Sequence, residues 1–113
     1  IALRLSKEAL HSSVVEDSLG AVERMFLYMP LMHSEVVEDQ RECVRLFGTL
    51  LAELPDEVRG APLGKMLTEG LRFAGLHKDI VERFGRFPHR NELLARESTP
   101  AEREFLTQPG SSF

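Results

Sequence analysis

The chain's densest run of chemistry-bearing side chains is Gly85-Arg86-Phe87-Pro88-His89-Arg90-Asn91. Arg86, His89 and Arg90 surround what reads as the start of a helix, where free backbone N–H groups and the helix dipole attract anions. Such a site would hold a carboxylate or a phosphate. The competing reading pairs Arg86 and Arg90 with the acidic stretch from Glu35 to Glu42, because cationic side chains commonly find structural partners.

Two further polar residues are aimed inward by helical spacing. His77 projects into the middle of an apolar arc, beside Met66, Gly70 and Ala74, while Asp79 points to the opposite side. His77 and Asp79 therefore cannot close on one metal ion from a regular helix. A buried imidazole serves equally as a structural hydrogen-bonding group and as an acid-base or binding group. Gln40 falls in the apolar arc of another helix, and its amide needs partners at both ends or costs on the order of 1–3 kcal/mol. His33-Ser34-Glu35 sits where a helix begins, which accounts for Ser34 and Glu35 as capping residues but leaves His33 unassigned. The candidate ligand-binding residues are accordingly Tyr28, His33, Gln40, His77, Arg86, His89, Arg90 and Asn91.

Other chemistries are poorly served. The four histidines have no H-E-x-x-H or paired Cys/His spacing, and Cys43 is the sole cysteine, so neither a metal nor a cofactor is expected. No G-x-S-x-G, phosphate-binding loop or dinucleotide fingerprint occurs. A hydrolase-like or transferase-like enzyme would rest on His33, His77 or His89 as acid-base, without a recognisable nucleophile. The net charge of −4 disfavours nucleic-acid backbones, and with no Trp and one Tyr the chain lacks stacking platforms for single strands. Residues 35–57 hold seven acids against two bases, whereas residues 72–103 hold seven bases against five acids. Blocks of this kind dock on each other or face solvent.

The elements that must carry these residues are helical throughout. A loose stripe at Ile1, Leu3, Leu5, Ala9 and Leu10 gives a first helix, and residues 14–20 a polar turn. Val22, Met25, Phe26 and Met29 predict a second helix ending at Pro30. Ser34 predicts an N-cap for a third helix, whose arc is Val36, Val37, Cys43, Val44, Phe47, Leu50, Leu51 and Leu54 and which Pro55 closes. Pro62-Leu63 opens a fourth helix reaching about Phe84; Gly70 in its arc allows close approach of a neighbour, and Gly85 caps it. Pro88 opens a further helix with Leu93 and Leu94 as apolar contacts and Glu92–Arg96 as an i, i+4 pair. Thr99, Pro100 and Glu102 form a capping box for the last helix, anchored by Phe105 and Leu106.

No segment alternates as a strand would, so the class is all-α, built of antiparallel helical pairs. Residues 1–107 read as one domain and 108–113 as a flexible tail. The longest apolar run, Met25 to Met32, is far short of the ~20 residues that span a bilayer. A lone cysteine fits a reducing, cytoplasmic setting.

Arg24-Met25-Phe26-Leu27-Tyr28-Met29-Pro30-Leu31-Met32-His33-Ser34-Glu35, Asp39-Gln40, Arg83-Phe84-Gly85-Arg86-Phe87-Pro88-His89-Arg90-Asn91 and Glu97-Ser98-Thr99-Pro100 resemble the bacterial family called domain of unknown function 924. The resemblance spans nearly the whole chain. It implies a tetratricopeptide-like superhelical stack in a family without an assigned reaction. It also implies that this chain is a C-terminal portion, lacking helices that carry an aspartate-glutamine-phenylalanine-proline-arginine-asparagine motif, of which Arg86 to Asn91 looks like a second, degenerate version. Val36-Val37 departs from the family's acidic-then-apolar pair. The leading expectation is a helical scaffold with a polar, basic groove for a peptide segment or a small anionic ligand. The alternatives are the histidine enzyme and a structural fragment, completed by missing helices or by a homodimer.

Overall fold

The computed structural model describes residues 3–5 and 20–112. Among them run helices α1 (Ala21–Met32), α2 (Val37–Glu53), α3 (Asp56–Arg59), α4 (Pro62–Phe84) and α5 (Pro100–Leu106), with a short 3-10 turn at Pro88–Arg90. There is no strand among the described residues, and the protein is all-α. Of the expected first helix, residues 3–5 are helical and Leu3 rests on the core, while the rest of that stripe and the turn at 14–19 lie outside the described residues. Neither α2 nor α4 has the length and apolarity to cross a membrane, nor has any other described helix.

The main core lies where α1, α2 and α4 meet, with Tyr28, Leu31, Met32, Cys43, Phe47, Leu50, Leu67 and Ala74 buried. The connections between these helices are short, so neighbours run antiparallel. Gly70 permits a close approach of α2 to α4: a Cβ there would lie 2.7 Å from Cε1 of Phe47. A second, smaller core joins Ile80, Val81 and Phe87, with Val37, Phe84 and Phe105 packed against them.

Helix α1 does not stop at Pro30 but continues through it to Met32. An interior proline costs about 3 kcal/mol. Burying Leu31 and Met32 returns roughly 3–6 kcal/mol, and the carbonyl that loses its donor belongs to the exposed Phe26. Packing prevails. Helix α2 likewise begins later than the sequence predicts. Val36 occupies the cap position without a side-chain cap, and half of its surface is exposed. Ser34 Oγ instead accepts from Val36 N–H at 3.1 Å and donates to Asp39 at 2.6 Å.

The expected helix after Pro88 is reduced to one 3-10 turn. Leu93 and Leu94 are exposed, so the segment has no apolar face to bury. Asn91 is buried and its side chain is engaged by Ser98 and Arg96, which favours a turn over a helix. Ala95, at φ 55°, then reverses the chain. The last helix keeps its capping box, with Thr99 and Glu102 bonded reciprocally. Beyond α5 the chain folds back, and the buried Ser111 donates to the Leu106 carbonyl at 3.2 Å.

Candidate functional site

Gly85, in the left-handed conformation at φ 73°, ends α4 and turns the chain so that Phe87 enters the core with none of its surface exposed. Around this ring the candidate residues gather. His77 meets Phe87 edge-on, with centroids 5.6 Å apart; His89 lies tilted at 5.6 Å; the Arg90 guanidinium stacks 4.6 Å from the ring centre. His33 in turn meets His77 edge-on at 5.6 Å. Residues from the end of α1, the middle of α4 and the turn after it thus form one aromatic and cationic cluster.

The imidazoles are held in defined orientations. Nδ1 of His77 lies 2.7 Å from the Phe73 carbonyl and Nδ1 of His33 lies 2.8 Å from that of Met29. A carbonyl only accepts, so each Nδ1 carries the hydrogen and Nε2 is the basic nitrogen of the neutral ring. Burial pushes the His77 pKa below its ordinary value, and His33, His89 and Arg90 push the same way. His89 is lowered by burial and by Arg90, against an opposing pull from Glu35. Both rings are therefore neutral at neutral pH. Arg90 has no carboxylate paired with it among the described residues.

The anion expected at the Pro88 turn is supplied by the protein itself. Glu35 accepts from the Phe87 N–H at 2.7 Å and from Arg96 at 2.9 and 3.0 Å. Arg96 also donates to the Phe87 carbonyl and to Asn91 Oδ1. The free helix start read from the sequence does not exist there. Arg96 forms no pair with Glu92, because the helix that would align them is missing, and the half-buried Glu35 gives charged hydrogen bonds of greater value.

Arg86 stands apart from the cluster. Its guanidinium grips Glu102 twice, at 2.8 and 2.9 Å, and reaches the Glu97 carbonyl, so it pairs with the last helix rather than with Glu35 to Glu42. This grip holds the Glu102 carboxyl down at about 2. Asn91 is a buried brace between Ser98 and Arg96. Tyr28 belongs to the main core, edge-on to Phe47 at 5.7 Å. Gln40 donates to the Met32 and Ser34 carbonyls, each at 2.6 Å, and so fastens the turn that presents His33. Its Oε1 is buried and has no hydrogen-bond partner among the described residues. Four of the eight candidates, His33, His77, His89 and Arg90, come together; the other four brace or pack.

Sequence reasoning missed Phe87 as the hub and Glu35 and Arg96 as the clamp. Phe87 reads as an ordinary core anchor, and the clamp joins residues 52 and 61 positions apart. No local pattern announces such pairs. No described group of histidine, cysteine and carboxylate side chains is arranged to hold a metal ion.

The fold and this cluster define an all-α protein whose polar centre lies between the α1–α2 connection and the turn after α4. The chain belongs to a family of bacterial proteins of unknown function, DUF924, whose model matches residues 1–110. Among solved structures it is similar to a protein of unknown function from Agrobacterium tumefaciens, with 34% identity and a TM-score of 0.71. That match covers 93% of this chain and 50% of the other, so the chain spans about half of its relative's length. No curated protein matches it.

Proposed function

We propose that the protein binds a small anionic ligand, a carboxylate or a phosphate, at His33, His77, His89 and Arg90. The observation that carries this reading is Arg90 stacked on Phe87 beside two histidines, with no carboxylate paired with it among the described residues. A guanidinium on an aromatic face is oriented and presents its N–H fork edgewise. Neutral imidazoles beside it can donate or accept a hydrogen bond, and an arriving anion would favour their protonation.

Titration with inorganic phosphate and with acetate tests this, following histidine ring resonances. Saturable shifts at His77 and His89, weakened at least about tenfold by Arg90→Gln, are expected. Absence of saturable change up to roughly 10 mM ligand, where a binding free energy of only about 3 kcal/mol would show, overturns the reading.

A second reading has its own support. His77 is oriented through Nδ1 and its pKa is lowered by burial, which leaves Nε2 basic; that atom is itself buried, so a general-base role needs a substrate that reaches inside the cluster. Against any substrate identified, His77→Gln should then abolish turnover while leaving the melting temperature close to wild type. Equal losses of stability and activity would mark His77 as structural. We further read the chain as cytoplasmic, from its lone cysteine, and as part of a tetratricopeptide-like stack, which the antiparallel packing of α1, α2 and α4 supports.

A further inference from the structure

Gln40 lies level with His77 across the packed helices. Phe47 of α2 meets Gly70 of α4, and Val37 packs on the cluster of Ile80, Val81 and Phe87, so the two helices run antiparallel. Counting inward from either contact brings Gln40, which has none of its surface exposed, opposite His77. The amide is fixed end for end. Its Nε2 donates to the Met32 and Ser34 carbonyls, which flank His33, and Oε1 therefore faces away from that turn. That oxygen is buried and has no hydrogen-bond partner among the described residues. A buried acceptor in this state is uncommon and points to a hydrogen that arrives from outside.

Given anion binding at Arg90, on which this step rests, we infer that the anion carries a hydroxyl beside its charge and that Gln40 Oε1 receives the hydroxyl's hydrogen. A short hydroxy acid has this chemistry, and so does hydrogen phosphate. Nδ1 of His33 and Nδ1 of His77 each commit their hydrogen to a backbone carbonyl, so in the neutral rings each Nε2 is an acceptor. Gln40 Oε1 adds a third acceptor. Arg90, stacked over Phe87, brings only donors. A bare carboxylate satisfies Arg90 but sets lone pairs against the lone pairs of the other groups. A hydroxyl on the neighbouring carbon, or on the phosphorus itself, supplies the missing hydrogen. Of the three residues that accept, only His33 is exposed, so the ligand has to be short enough to pass beside that ring.

Titration of the isotope-labelled 113-residue chain with two matched sets tests this near neutral pH. The first sets glycolate against acetate and methoxyacetate; the second sets phosphate against sulfate. Glycolate should bind at least about tenfold more tightly than its two analogues, or phosphate than sulfate by the same margin. The set that discriminates names the source of the hydroxyl. The side-chain carbonyl carbon of Gln40 should move downfield with the favoured ligand and stay in place with the others. Affinities that are equal or reversed within both sets overturn the inference, as does a preference that leaves the Gln40 carbon unmoved. An internal water satisfying Oε1 would give one of those results. If acetate and sulfate saturate the site as well as glycolate and phosphate do, the anion site stands and the hydroxyl alone falls. If no anion saturates it, both fall.

Discussion

Glu35 and Arg96, 61 positions apart, form a two-pronged ion pair with contacts of 2.9 and 3.0 Å, and the same carboxylate accepts the Phe87 N–H. This relationship ties the α1–α2 connection to the turn after α4, and so brings His33 toward His77 and His89. Glu35→Gln should cost about 1.5–3 kcal/mol in urea denaturation, the range for a half-buried charged hydrogen bond. Because Arg96→Gln breaks the same contacts, the double variant should lose far less than the sum of the two. Additive losses would show that the clamp does not act as a unit.

Acid should destabilise the fold in two steps. His77 and His89 have pKa values below the ordinary 6.5, so the unfolded chain takes up protons first. Stability present above pH 6.5 is then lost as the pH falls below it. Glu35 is held below the usual carboxylate value of 4.5 chiefly by Arg96, and Glu102 at about 2 chiefly by Arg86. Their contribution is present above pH 4.5 and is lost progressively toward pH 2. Melting temperatures from pH 2 to 8 should fall in both windows, and Glu102→Gln should flatten the lower one. A profile unchanged by Glu102→Gln would contradict this assignment.

Gly70→Ala should destabilise, although alanine is the better helix former by about 1 kcal/mol. The new methyl carbon would sit 2.7 Å from the Phe47 ring, where α2 packs on α4. Overpacking of this kind costs about 1–3 kcal/mol. A more stable variant in guanidinium denaturation would mean that the ring moves aside freely.

Cys43 should be silent toward thiol reagents in the folded protein. It is fully buried, and burial pushes its thiol up to about 12. The thiolate is the reactive form, so labelling with a disulfide reagent should wait for unfolding. Labelling at native rates typical of an exposed cysteine would refute this placement.

What the sequence discloses and what it hides follow from how far each interaction reaches. Helix α4, its glycine cap and the capping box of α5 are local matters of period and turn chemistry, and all three stand as read. The end of α1 and the fate of the segment after Pro88 depend on burial, and local rules misjudge them. Proline at position 30 is overruled by the packing of Leu31 and Met32, while Leu93 and Leu94 find nothing to cover them. The convergence of His33, His77 and His89 depends on the Glu35–Arg96 clamp and on Gln40 fastening the α1–α2 turn. Those pairings cross between elements, and residue spacing within one helix carries no trace of them.

Glu102 has two attachments: it closes the first turn of α5 through Thr99, and it receives both prongs of Arg86. The carboxylate that lets α5 begin is therefore the one that moors it to the chain leaving α4. Winding and docking become a single event. Amide hydrogens of the first turn of α5 should exchange with solvent together with those around Arg86, at one shared rate, rather than fraying from the chain's end inward.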